Sequence, residues 1–150
     1  MNKMPLITSV RIAGPLRLEI DWDTGETLAV DISSIISHNH AFAPLNDEEF
    51  FGRITIEEWG HGLDWPGGLD LGADRLYDLG RQQAGLCSPA EFDNWMRRNG
   101  LSLSSAAVAL GMTRRMIAHY RSGSRPIPKV VGLACTGWEL ERTAKSGRPE

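Results

Sequence analysis

The stretch Ala106-Ala107-Val108-Ala109-Leu110-Gly111-Met112-Thr113-Arg114-Arg115-Met116-Ile117-Ala118-His119-Tyr120-Arg121-Ser122-Gly123 decides how the second half of this chain is read. Ala107, Gly111 four residues later and Ile117 six after that give the spacing of two short helices joined by a tight turn. The paired alanines let a second helix cross closely, because larger side chains would hold it away. Gly111 supplies the turn, where a residue without Cβ takes the left-handed conformation cheaply. Thr113 then caps a helix that buries Ile117 and Tyr120 and stops at Ser122-Gly123.

Working outward, Ser88-Pro89 opens an earlier helix with a capping side chain, proline at the first position and Glu91 in the first turn. Phe92, Trp95 and Met96 mark its apolar face, and Gly100 ends it. Ser102 caps the next helix, with Leu103, Ala106, Ala107 and Leu110 inward. Its third residue is Ser105 where glutamate would close a reciprocal capping box, so no such box is expected. A last helix starts near Pro128 and continues through Leu133, Cys135 and Trp138, with the chain helical to Lys145 and a frayed tail beyond.

The first half has a different rhythm. Leu16, Leu18, Ile20 and Trp22 alternate with Arg17, Glu19, Asp21 and Asp23, the period of a half-buried strand. Leu6–Ile12 precedes it, and Leu28 with Val30 follows the turn Asp23-Thr24-Gly25-Glu26, which predicts an antiparallel meander. Asn46–Phe51 reads as one capped helical turn. Ile54–Trp59 and Leu63–Trp65 read as a hairpin around Gly60-His61-Gly62, with Pro66-Gly67-Gly68 breaking the sheet. Ala73–Gln83 reads as a closing helix. The expected organisation is an acidic α+β domain over 1–84, of antiparallel meander sheet with short helices, then an all-α domain over 88–144 and a flexible tail over 145–150.

Charge follows the same division. Residues 1–88 carry six Lys/Arg against fourteen Asp/Glu, a balance of −8, and residues 89–150 carry ten against five, a balance of +5. The overall −3 therefore hides a basic module suited to phosphates. No stretch approaches the ~18–20 apolar residues of a membrane span, and Met1–Pro5 lacks a signal-peptide run, so a cytoplasmic protein is expected. Cys87 and Cys135 are isolated in sequence, which points to neither a zinc site nor a disulfide framework.

The segment Ala106–Gly123, with its flanks from Pro89 to Trp138, resembles the Xre/Cro family of phage-repressor-like helix-turn-helix domains. The resemblance implies a lambda-repressor-like fold and a bacterial transcription regulator, a dimeric repressor that lays the helix starting at Thr113 in the major groove of double-stranded DNA. It implies that Arg114, Arg115 and His119 contact bases, each well-placed arginine being worth ~1–3 kcal/mol of discrimination. Ser102, Thr113, Arg121, Ser122, Arg125 and Lys129 are expected on phosphates, where they set register.

The segment from Leu6 to about Leu79 resembles a family of small uncharacterised bacterial α+β domains found alone or joined to such modules. Asp21-Trp22-Asp23-Thr24-Gly25, Leu45-Asn46-Asp47 to Phe50, and Leu63-Asp64-Trp65-Pro66-Gly67-Gly68-Leu69-Asp70 carry that resemblance. It implies a link with toxin–antitoxin gene pairs. The alternative function is therefore an antitoxin-like adaptor that binds a partner protein through the acidic domain.

No enzyme, metal or cofactor is expected. Asp23-Thr24-Gly25 has the tripeptide of aspartic proteases without the apolar strand and small residue around it, and reads as a hairpin turn. His38, His40, His61 and Asp64 read as polar surface rather than metal ligands. Asp21-x-Asp23 lacks the remaining ligands of a calcium loop. Trp22, Trp59 and Trp65, in acidic surroundings, read as core or interface anchors.

Overall fold

The computed structural model describes residues 4–146, which divide into two compact units, Met4–Ala84 and the residues from Gly85 onward. In the first unit, β1 (Ile7–Gly14), β2 (Arg17–Trp22) and β3 (Thr27–Asp31) form an antiparallel sheet in that order. Register is set by the period of two: Ile20 lies opposite Val10 on one side and Leu28 on the other. A one-residue slip would turn Leu18, Ile20 and Trp22 out of the core, where all three are buried. Asp23-Thr24-Gly25 is a turn, closed by a 2.9 Å hydrogen bond from the Trp22 amide to the Glu26 carbonyl.

Helix α1 (Ser33–His38) and a 3-10 stretch at His40–Asn46 follow, neither of them foreseen because neither shows a clear helical period. Asp47 caps α2 (Glu48–Phe51) by accepting the Glu49 amide. A second antiparallel sheet joins β4 (Thr55–Ile56), β5 (Gly62–Trp65) and β6 (Leu69–Gly72). Here two expectations are corrected. The strand before Gly60 is only two residues long, because Glu58–Gly60 coils into a 3-10 turn. Pro66-Gly67-Gly68 does not break the sheet; it is the turn that returns the chain as β6, pairing Trp65 with Leu69. Trp65 stacks on Phe51 at 6.0 Å and donates its indole N–H to the Phe51 carbonyl at 3.0 Å, fastening α2 to this sheet.

Helix α3 (Ala73–Gln83) covers the first sheet. Gly80 permits the approach, since a Cβ there would lie 3.1 Å from the side chains of both Leu28 and Val30. Arg81, only 7 % exposed, points its guanidinium at Glu26, which also accepts the Tyr77 hydroxyl. Burial first, and Glu26 second, push the Tyr77 phenol above its ordinary pKa, so it stays a donor.

The second unit is helical: α4 (Pro89–Arg98), α5 (Leu103–Leu110), α6 (Arg114–Ser122) and α7 (Lys129–Ser146). Its core holds Phe92, Trp95, Met96, Ala106, Ala107, Ile117, Tyr120, Ile127, Val131 and Cys135. Each large side chain among them contributes about 1.5–3 kcal/mol by leaving water. Phe92 meets Tyr120 edge-on at 5.9 Å and Trp95 meets Trp138 edge-on at 5.6 Å, which lock α4 to α6 and to α7. Arg98 adds a two-pronged pair with Glu139, at 2.7 and 3.1 Å. Helix α7 runs through Lys145 and Ser146, the first residues of the expected tail; residues 147–150 lie outside those described. No helix among the described residues is long and apolar enough to cross a membrane.

Candidate nucleic-acid interface

Helices α5 and α6 are joined by Gly111, Met112 and Thr113. Gly111 adopts φ 68°, ending α5 in the left-handed conformation that a side chain would disfavour. Ala106 and Ala107 are buried where α5 and α6 pack, as their small size predicted. At the start of α5, Ser102 accepts the Ser105 amide at 3.1 Å while Ser105 Oγ accepts the Ser102 amide at 2.8 Å. The capping box judged absent is therefore present, closed by a serine hydroxyl in the place of a carboxylate.

At the start of α6, Thr113 Oγ1 accepts the Met116 amide at 3.2 Å. Ile117 and Tyr120 are buried, and Arg114 and Arg115 are exposed. Neither arginine joins an ion pair among the described residues, and the same holds for the exposed Arg125 and Lys129. Arg11, Arg53, Arg81, Arg97, Arg98 and Lys145 all hold carboxylates. Uncommitted cations thus flank α6 at both ends, and the opening turn of a helix also leaves amides without partners inside it.

Three of the expected contact residues are placed differently. His119 is half-buried, with Nδ1 2.7 Å from Ser124 Oγ and Nε2 buried without a partner. Its ring braces the loop that follows α6, with Nδ1 engaged by Ser124 and Nε2 out of reach of solvent. Ser122 is exposed but bonds to the His119 carbonyl at 3.2 Å and to Ser124 at 3.0 Å, within the same brace. Arg121 is held by Asp93 of α4 at 2.8 Å. Ser102 and Thr113 are exposed caps whose oxygens already accept amides. Asp93 and Ser124 escaped the sequence reading, since nothing local marks a carboxylate 28 residues before its arginine.

In the first unit the histidines do not come together as metal ligands. Glu57, Asp64 and Asp70 converge within 4.8 Å, but His38, His40 and His61 form no such group among the described residues. Trp22 and Trp65 are core residues, whereas Trp59 is 77 % exposed.

Comparison with known proteins adds the following. The model of a family described as "Protein of unknown function (DUF2442)" matches residues 7–82, the unit that carries the two sheets. A protein from Nitrosomonas europaea named "Putative DNA Binding Protein", known from a crystal structure, is similar over 95 % of this chain and 92 % of its own, with 42 % sequence identity and a TM-score of 0.62. No curated protein matches. The expected kinship of the C-terminal half with the Xre/Cro family is overturned: no model of that family matches, and the family match falls on the N-terminal part.

Proposed function

The chain belongs to the family described as Protein of unknown function (DUF2442), and from that premise we propose that its helical unit binds double-stranded DNA and regulates transcription in the cytoplasm, without catalysis. One observation carries the reading: Arg114 and Arg115 stand exposed and free of carboxylates at the start of a short helix that a glycine turn presents to solvent. The similar Nitrosomonas europaea protein, named for DNA binding, supports it. In this reading α5, Gly111 and α6 act as a helix-turn-helix, with α6 entering the major groove. Each arginine fork spans O6 and N7 of a guanine, while Arg125 and Lys129 neutralise phosphates. His119 is assigned to the brace and not to the bases.

Titration of labelled duplexes at several salt concentrations tests this. Arg115→Ala should narrow the gap between selected and random DNA by roughly tenfold, about 1–3 kcal/mol per lost fork. Lys129→Ala should weaken both alike and reduce the salt slope by about one. Equal loss from both variants on every duplex would refute the division of labour, and no salt-sensitive binding by the native chain would refute the reading itself.

A second reading, an adaptor for a partner protein, is favoured by Trp59, whose indole faces solvent in the acidic unit. Trp59→Ala would abolish co-purification of such a partner and leave DNA binding unchanged.

A further inference from the structure

Helix α7 has two apolar faces, and only one of them has a use within the unit. Val131, Cys135 and Trp138 pack inward. Val130, Leu133, Gly137, Leu140 and Ala144 follow one another at alternating steps of three and four on the other side. Val130, Leu133 and Leu140 are 71, 61 and 66 % exposed, among the largest apolar exposures in the described residues. A seam of this spacing on a solvent-facing helix is the pattern by which helices pair.

We infer that α7 is the contact through which two copies of this chain pair, the stripe Val130–Ala144 of one lying antiparallel on the same stripe of the other. A twofold contact requires one surface to carry both a projection and its complement. Leu133 and Leu140 are the projections. Gly137 is the notch, since a Cβ built there meets no atom within 4 Å, and the exposed Ala134 widens it. Placing Leu133 over the second copy's Gly137 places the second copy's Leu133 over Gly137 in return.

Area agrees with this occupant. Val130, Leu133 and Leu140 each leave roughly two thirds of their surface in water, enough to supply the apolar centre of the ~800 Å² that each partner commits to a standard interface. No charged side chain interrupts it; Lys129 and Glu141 lie at its edges and suit a polar rim. The inference does not rest on the DNA reading, and its test uses no DNA.

Sedimentation of the full chain from about 1 to about 200 µM should show a monomer–dimer equilibrium with a micromolar dissociation constant. Leu133→Glu should weaken it at least about tenfold by placing a charge in the seam. Gly137→Leu should weaken it similarly by filling the notch, although the same change raises helix propensity and leaves the fold at least as stable by circular dichroism. That opposite movement of stability and association is what a merely structural glycine would not produce, and it keeps the test decisive if the glutamate variant folds poorly. A native chain that stays monomeric at the highest concentration, or a dimer that both α7 variants leave intact, would overturn the inference.

Discussion

Arg121 of α6 and Asp93 of α4 form an ion pair of 2.8 Å, and the second oxygen of the same carboxylate takes Arg97 at 2.8 Å. Asp93 therefore draws two positive charges away from whatever α6 faces. Converting Asp93→Asn would release both. DNA affinity should rise severalfold at low salt, with a salt slope steeper by about one for each released arginine that reaches a phosphate. Stability should fall by less than about 1 kcal/mol, because the arginines of these pairs lie at the surface. Fluorescence anisotropy at two salt concentrations, with a thermal melt beside it, measures both. An unchanged affinity and slope would place Arg121 and Arg97 outside the interface.

Trp59 and Gly60 are neighbours with left-handed backbones, φ 67° and 76°, and opposite expectations follow. Trp59 is mostly exposed, so its side chain contributes little burial to offset a conformation that costs a residue with Cβ about 1 kcal/mol. Trp59→Gly should be more stable than Trp59→Ala by about that amount, since alanine keeps the strain. Gly60 cannot be replaced: a Cβ there would lie 2.4 Å from the Ile7 carbonyl oxygen. Gly60→Ala should cost several kcal/mol, on the order of other substitutions that combine steric overlap with a forbidden φ. Urea melts of the three variants decide the matter, and equal stabilities for the two Trp59 variants would remove the argument from strain.

The parts of the fold that could be read from the chain are those where a short period or a single backbone demand governs. Leu18, Ile20 and Trp22 announce their strand because alternation has one solution against a core. Gly111 and Thr113 announce the turn and cap because few residues serve there. What stayed hidden depended on distant partners. Leu69–Gly72 is too short to display a period, and its preceding Pro66-Gly67-Gly68 serves equally as a breaker or a hairpin turn. Ser105 completes a cap with a hydroxyl that reads as ordinary polarity in sequence. Arg121 and His119 have the right chemistry for DNA, but Asp93 and Ser124 engage them through folding of the chain. Candidate contacts are thus visible as residue types, and their availability is visible only in three dimensions.

Glu26 joins the hairpin turn to α3 by facing both Arg81 and Tyr77. The guanidinium is nearly buried, while the Glu26 side chain is 19 % exposed. Removing the carboxylate takes one charged partner from a nearly buried guanidinium, so Glu26→Gln should destabilise the fold by on the order of 1–3 kcal/mol. Arg81→Met should cost less, because the remaining carboxylate reaches some water and keeps the Tyr77 hydroxyl as donor. Denaturant midpoints rank the two. A larger loss from the arginine change would show that packing of its stem outweighs the charge.

Cys135 is 4 % exposed, and burial, with a smaller effect from the nearby Cys87, pushes its thiol up to about 12. Thiolate is the reactive form, so at pH 8 Cys135 in the folded chain should resist iodoacetamide while the half-buried Cys87 is alkylated. Mass spectrometry of peptides from the native protein reads this directly. The same shift links folding to pH. Unfolded, the thiol ionises near 9; folded, it holds its proton to about 12. Between those values the unfolded chain binds fewer protons than the folded one, so stability declines as pH rises through that window. Cys135→Ala should flatten the decline and should also lower stability at pH 7, where the lost sulfur leaves a small void in the core. Alkylation of Cys135 as fast as Cys87 at pH 8 would mean that α7 opens from the core far more readily than the packing of Trp138 on Trp95 allows.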